Sequence, residues 1–179
     1  MDEPFTEVLA GGHRNSLGRT GEVVTEVLAD RARLEELFAA LRSPDELVRM
    51  RAGDALEKAC RERPEWFAPH ADRILTEVGG IDQPSVQWHS AQMLQHLGQG
   101  LDAGQRDRAT ALVRGYLTDS DDWIVLNTAM AVLADWSATD PGLARWLLPE
   151  LEHLSHDRRK SVAGRAARLG AGLQDPAPD

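Results

Sequence analysis

Cysteine is nearly absent from these 179 residues. Cys60 stands alone, which excludes an internal disulfide, and its place beside Ala59, late in an expected helix, is that of a small buried hydrophobe. No apolar run approaches the roughly 18 residues needed to cross a bilayer. The opening MDEPFTEVLA is acidic where a secretory leader would be basic and then apolar. A cytoplasmic location with no membrane partner is therefore expected. Positive charge is also in short supply: 20 Lys plus Arg stand against 29 Asp plus Glu, a net charge of -9. That balance disfavours non-specific attraction to phosphate backbones or anionic lipid, so nucleic acid is not the expected partner. Aromatics make up only 5% of the chain, yet five of them are Trp, and hydrophobic and charged fractions of 42% and 27% are those of a globular protein.

What the chain does have is a repeat. Val48, Val86, Ile124 and Val162 are spaced 38 apart, and each opens a similar helical pattern. At offsets +4, +7, +8 and +11 the columns read Ala52/Ser90/Thr128/Ala166, Ala55/Met93/Ala131/Leu169, Leu56/Leu94/Val132/Gly170 and Ala59/Leu97/Asp135/Leu173. Those offsets share one helical face. A second column, Leu37, Leu75, Val113 and Leu151, keeps the same step in the alternate helices. A fixed period of this size marks a solenoid, whose units bury their apolar stripes only against one another. The expected fold is all-α, an alpha-alpha superhelix of about four helix pairs with a terminal half repeat.

Punctuation supports this division. Residues 1–21 read as a short amphipathic helix bearing Phe5, Val8 and Leu9, followed by the loop GGHRNSLGRTG. Residues 22–174 read as the solenoid, and 175–179, with Pro176 and Pro178, as a frayed tail. Ser43-Pro44, Asp82, Asp102, Asp119 to Asp121 and Asp140-Pro141 are the expected helix starts. Pro64 opens a helix through Val78 that Gly79-Gly80 ends, and Pro149 is expected to kink the helix that contains it.

The segment from Val48 to Leu56, VRMRAGDAL, resembles the VRxxAxxAL core of HEAT repeats, and Ser43-Pro44-Asp45-Glu46 resembles their turn into the first helix of a pair. A small bacterial-type HEAT-like protein is what the resemblance implies. Later repeats replace Arg49 with Gln87, Val125 and Ala163. The resemblance implies fold rather than activity, since such arrays include scaffolds, transport factors, bilin lyase subunits and alkylpurine DNA glycosylases.

No Ser/His/Asp, Cys/His or paired-carboxylate arrangement stands out, so catalytic residues and cofactors are not expected. His89 and His96 share a helix face but lack a third ligand, so no metal site is expected either. The Gly12 to Thr20 loop departs from a phosphate-binding loop in spacing and in having Arg19 where Lys belongs. Arg51, His89, Asn127 and Arg165 share offset +3 and read as an inter-repeat polar ladder. Between Gly115 and Asp157 eight acids face Arg145 alone, after which the sign flips at Arg158, Arg159, Lys160, Arg165 and Arg168. The expected function is a non-enzymatic protein-interaction scaffold, with a HEAT-like DNA-lesion-binding or glycosylase-related protein as the alternative. The expected contacts are Arg14, Asn15 and Arg19 in the loop and Asp121, Asp122 and Trp123 in the acidic third repeat, facing a protein partner with a basic segment. Of the five Trp, three or four are expected in the core and Trp123 at the surface.

Overall fold

The computed structural model describes residues 3–13 and 16–174, so the tail expected at 175–179 lies outside the described residues. These residues form helices without a strand among them: α1 (Phe5–Val8), α2 (Thr20–Ala29), α3 (Leu34–Ala40), α4 (Glu46–Glu62), α5 (Pro64–Phe67), α6 (Ala71–Arg73), α7 (Pro84–Leu97), α8 (Ala103–Asp119), α9 (Trp123–Ser137), α10 (Pro141–Ser155) and α11 (Lys160–Gln174). The result is a repeat α-solenoid. Contacts divide the chain into two compact units, Met1–Arg106 and Asp107–Asp179, with the boundary inside α8.

In the first unit α2, α4 and α7 pack side by side, and α3 lies against α4. Residues Phe5, Val8 and Leu9 are fully buried where α1 meets α2 and α3. The Phe5 amide donates to Glu36 Oε1 at 2.8 Å, and the Arg33 guanidinium stacks 3.9 Å from the Phe5 ring centroid. In the second unit α9, α10 and α11 pack against one another.

Short polar side chains set the helix starts. Asp45, rather than Ser43, caps α4, accepting from the Leu47 amide, so Pro44 precedes the helix instead of opening it. Asp102 and Gln105 form a reciprocal capping box: each side chain accepts from the other's amide. Asp122 caps α9 by accepting from Ile124 and Val125, and Asp140 caps α10 with Pro141 at its first position. The helix expected from Pro64 to Val78 is instead broken. Pro69 lacks an amide donor, and the backbone tightens to a 3₁₀ turn at Ala68–His70 before widening to a π turn at Ile74–Val78. Helix α10 runs through Pro149 as one element.

The column Leu37, Leu75, Val113 and Leu151 is buried throughout. The companion column slips in the third repeat. Val48, Val86 and Val162 are core residues, but Ile124 is half-buried, and Val125 takes its place at 1% exposure. Ala129, Val132, Leu133 and Trp136 follow it into the core, one position later than a 38-residue step puts them. The extra residue falls between Val113 and Val125, which are 12 apart where Leu37 and Val48, Leu75 and Val86, and Leu151 and Val162 are each 11 apart. The starts of α4 and α7 are 38 apart, those of α7 and α9 are 39, and those of α9 and α11 are 37.

Candidate functional site

Arg51 is the largest fully buried side chain, at 1% exposure. Its Nε and Nη2 donate to the Ser16 carbonyl at 3.0 and 2.8 Å, Nη1 to the carbonyls of Leu9 and Gly11 at 2.6 and 2.7 Å, and Nη2 to that of His13 at 3.3 Å. All five guanidinium donors are thus satisfied by backbone oxygen, which meets the cost of burying the charge. The loop can wrap the guanidinium because Gly11, Gly12 and Gly18 adopt positive φ of 69°, 77° and 54°. A Cβ on Gly18 would come within 2.9 Å of Arg51 Cζ. The glycine-bearing loop therefore wraps one of the protein's own cations.

Loop residues Arg14 and Asn15 lie outside the described residues. Arg19 is engaged by Glu3 at 2.9 Å and Glu22 at 3.0 Å, and these carboxylates raise its pKa.

Among the described residues no hydrogen bond joins Arg51, His89, Asn127 and Arg165 to one another, so they do not form the expected ladder. Arg51 turns to the loop, and Asn127 Nδ2 donates to the Trp123 carbonyl of its own helix at 2.7 Å. The one-residue slip of α9 also removes Asn127 from the column and puts Thr128 there. Arg165 is half-exposed. His89 is 8% exposed, with Cδ2 3.4 Å from where a Gly53 Cβ would lie and with a buried Nδ1 lacking a partner. Burial pushes its pKa down, with Asp54 and Glu57 pulling weakly the other way.

Beside His89 lies a polar cluster that the repeat columns did not single out. Asp54 and Glu57 are 7% and 5% exposed. Lys58 Nζ lies 2.7 Å from Asp54 Oδ2, His96 Nε2 lies 2.8 Å from Glu57 Oε1, and Arg61 approaches the same oxygen at 3.5 Å. For Glu57, burial raises the pKa, but the His96 hydrogen bond and the Arg61 charge outweigh it and leave the carboxyl below its usual value. The cluster was invisible because Asp54 and Glu57 alternate with apolar residues as solvent-facing acids do. No group of three His, Cys, Asp or Glu among the described residues is placed to hold a metal ion. His153 and His156 are both exposed, and His156 pairs with Glu152 at 3.5 Å.

In the second unit the turn before α9 gathers Asp121, Asp122 and Trp123. Trp123 is 51% exposed. Asp122 is half-buried by its capping role, whereas the Asp121 carboxylate is exposed and its backbone carbonyl accepts from Arg159 Nη1. Arg159 also grips Asp157 at 2.7 Å, a pairing that depresses the Asp157 pKa. Of the five Trp only Trp136 is buried, and Trp66, Trp88 and Trp146 are half-buried, fewer in the core than expected. Arg114 stacks 3.9 Å from the Trp146 ring centroid, and Arg31 and Arg63 lie 5.9 and 5.7 Å from that of Trp66. No helix among the described residues is long and apolar enough to cross a membrane.

No protein-family model matches the chain, and no curated protein matches it. Among solved structures it is similar to computationally designed armadillo repeat proteins for modular peptide recognition, with a TM-score of 0.65 at 16% identity over 95% of this chain and 80% of theirs. That likeness is one of fold and agrees with the helix-pair repeat: the chain has an armadillo-like α-solenoid architecture.

Proposed function

We propose that this chain is a non-enzymatic scaffold of HEAT-like repeats that binds a basic segment of a protein partner at the turn before α9. The observation that carries this reading is Trp123: an indole 51% exposed at the first position of a helix, beside the exposed Asp121 carboxylate. An exposed Trp offers a large apolar face with little conformational entropy to lose, and an adjacent carboxylate selects a cation. Arg159 supplies an internal precedent, since its guanidinium already bonds the Asp121 carbonyl. The HEAT-like reading rests on Val48 to Leu56, and a peptide-binding role is in keeping with the purpose of the designed proteins that share the fold. Residues 22–174 are read as the solenoid and 1–21 as an element fastened to it by Arg51. Arg19, paired with Glu3 and Glu22, has no part in this contact.

The test is capture of partners by the tagged protein from host lysate at low and moderate salt, with and without nuclease, identified by mass spectrometry. Asp121→Lys and Trp123→Ala are the informative variants, because Asp122 caps a helix and its replacement would confound folding with binding. A stoichiometric, salt-sensitive protein lost in both variants supports the scaffold reading. Recovery only of nuclease-sensitive material overturns it in favour of a HEAT-like lesion-binding protein.

A further inference from the structure

Helices α4 and α7 meet along a seam that His89 fills. Its imidazole lies over Gly53, where a Cβ would sit 3.4 Å from Cδ2, and the Trp88 ring packs beside it at 5.3 Å between centroids. The residue is 8% exposed, and its Nδ1 is buried without a hydrogen-bond partner. Farther along the same seam His96 bonds Glu57, and the fully buried Cys60 thiol faces the Met93 carbonyl at 3.8 Å.

A buried Nδ1 without a partner is tolerable as a lone pair and costly as a donor. The neutral ring can keep its hydrogen on Nε2, the nitrogen left for the Gln92 hydrogen bond, but a protonated ring carries N–H on both nitrogens. The acceptors that face it from α4 are already engaged. Asp54 holds Lys58 at 2.7 Å, and Glu57 holds His96 at 2.8 Å and Arg61 at 3.5 Å. Charges on the other elements packed against α7 are occupied away from the ring: Glu65 of α5 pairs with Arg63, and Glu77 of the π turn with Arg73 and Arg42. Asp54 and Glu57 draw a proton toward His89, Lys58 repels it, and burial opposes it most. A proton on His96, by contrast, strengthens the bond to Glu57. Because repeats of a solenoid touch only their neighbours, one seam can part while the rest of the array stays folded.

We propose that His89 is a proton-operated latch on the α4/α7 seam: neutral, it seals the seam over Gly53, and protonated, it parts the two helices and uncovers Cys60 while both helices stay formed. The latch is separate from the Trp123 turn and works without a partner.

Cys60 reports the seam directly. Its labelling by dithiodipyridine, a reagent that still modifies thiols in acid, is timed on the intact protein at about pH 7.5 and about pH 5.5, either side of the ordinary histidine value. Hydrogen exchange, corrected for intrinsic rate, is followed by mass spectrometry under the same two conditions. Expected is a rise in labelling of about tenfold, the shift produced by one imidazole that titrates normally in the open seam and stays neutral in the closed one. Exchange is expected to rise over Gly53 to Cys60 and Ser85 to His96 and to stay level over α9 to α11. His89→Gln, which keeps a polar side chain but cannot titrate, is expected to abolish the rise, and His96→Gln to retain it. In the parent protein, the His89 ring shifts followed by NMR test the latch without a variant, since proton uptake must track the labelling rate. Level labelling, a rise that survives His89→Gln or disappears in His96→Gln, proton uptake out of step with labelling, or exchange that rises equally over α9 to α11 overturns the proposal.

Discussion

Arg51 reaches 42 residues back along the chain to bond the carbonyl of Leu9 at 2.6 Å, and through this contact α4 holds a segment that has no regular structure of its own. The first prediction follows from the count of donors. Arg51→Ala leaves four loop carbonyls without their donor and is expected to cost about 3 kcal/mol in urea unfolding. Hydrogen exchange should rise selectively over residues 9–18. Arg51→Lys, a point charge with three donors, is expected to recover only part of this.

Gly18→Ala tests the same contact from the other side. The new methyl would lie 2.9 Å from Arg51 Cζ at a φ of 54°, so clash and backbone strain act together. A loss of about 1–3 kcal/mol is expected. Gly21→Ala has nothing within 4 Å and should be near neutral in the same assay.

Stability is expected to fall as the solution is acidified below about pH 6.5. Burial holds His89 neutral, so its native pKa lies below the unfolded value; the unfolded chain binds the extra proton first and is favoured in that window. His70, also pushed down by burial, adds in the same direction. Glu57 acts lower still: its contribution is present above about pH 4.3 and is lost as pH falls through its depressed native value. Urea midpoints measured against pH should show a shallower slope between pH 6.5 and 5 in His89→Gln than in the parent.

Cys60 is expected to resist alkylation in the native protein, because burial, aided by the Glu57 charge, pushes its thiol up to about 12. Iodoacetamide labelling followed by mass spectrometry should show modification only as denaturant unfolds the chain. Rapid labelling of the native state would contradict the buried placement.

Trp123→Ala and Trp136→Ala should separate surface from core. The first is expected to change stability by less than about 0.5 kcal/mol while removing the most solvent-exposed, red-shifted part of the emission. The second, at 6% exposure, is expected to cost about 3–5 kcal/mol.

The repeat was legible where one step held through every unit. Leu37, Leu75, Val113 and Leu151 keep the same spacing although Phe38, Ile74 and Leu112 stand beside three of them, and all four are buried. At the third repeat Ile124 and Val125 are adjacent, both apolar and β-branched, so spacing alone favoured Ile124; the backbone chose Val125 once Asp122 became the cap. That shift by one also explains why Asn127 joined no ladder. The exposure of Trp123 was readable from the acids before it. Arg51 was not readable in the same way, since its partners are carbonyl oxygens, which every residue has and no sequence pattern marks.

The uneven spacing of the helix starts decides which parts of this chain are interchangeable. A cassette running from Glu46 to Gln83 could be duplicated ahead of Pro84 without rotating any later helix, since the interval it carries is the one it would interrupt. Copying the stretch from Pro84 to Asp122 ahead of Trp123 would likewise repeat the interval that it interrupts, which is one residue longer. Each cassette therefore fits its own place in the array, but neither can stand in for the other without a one-residue change of register.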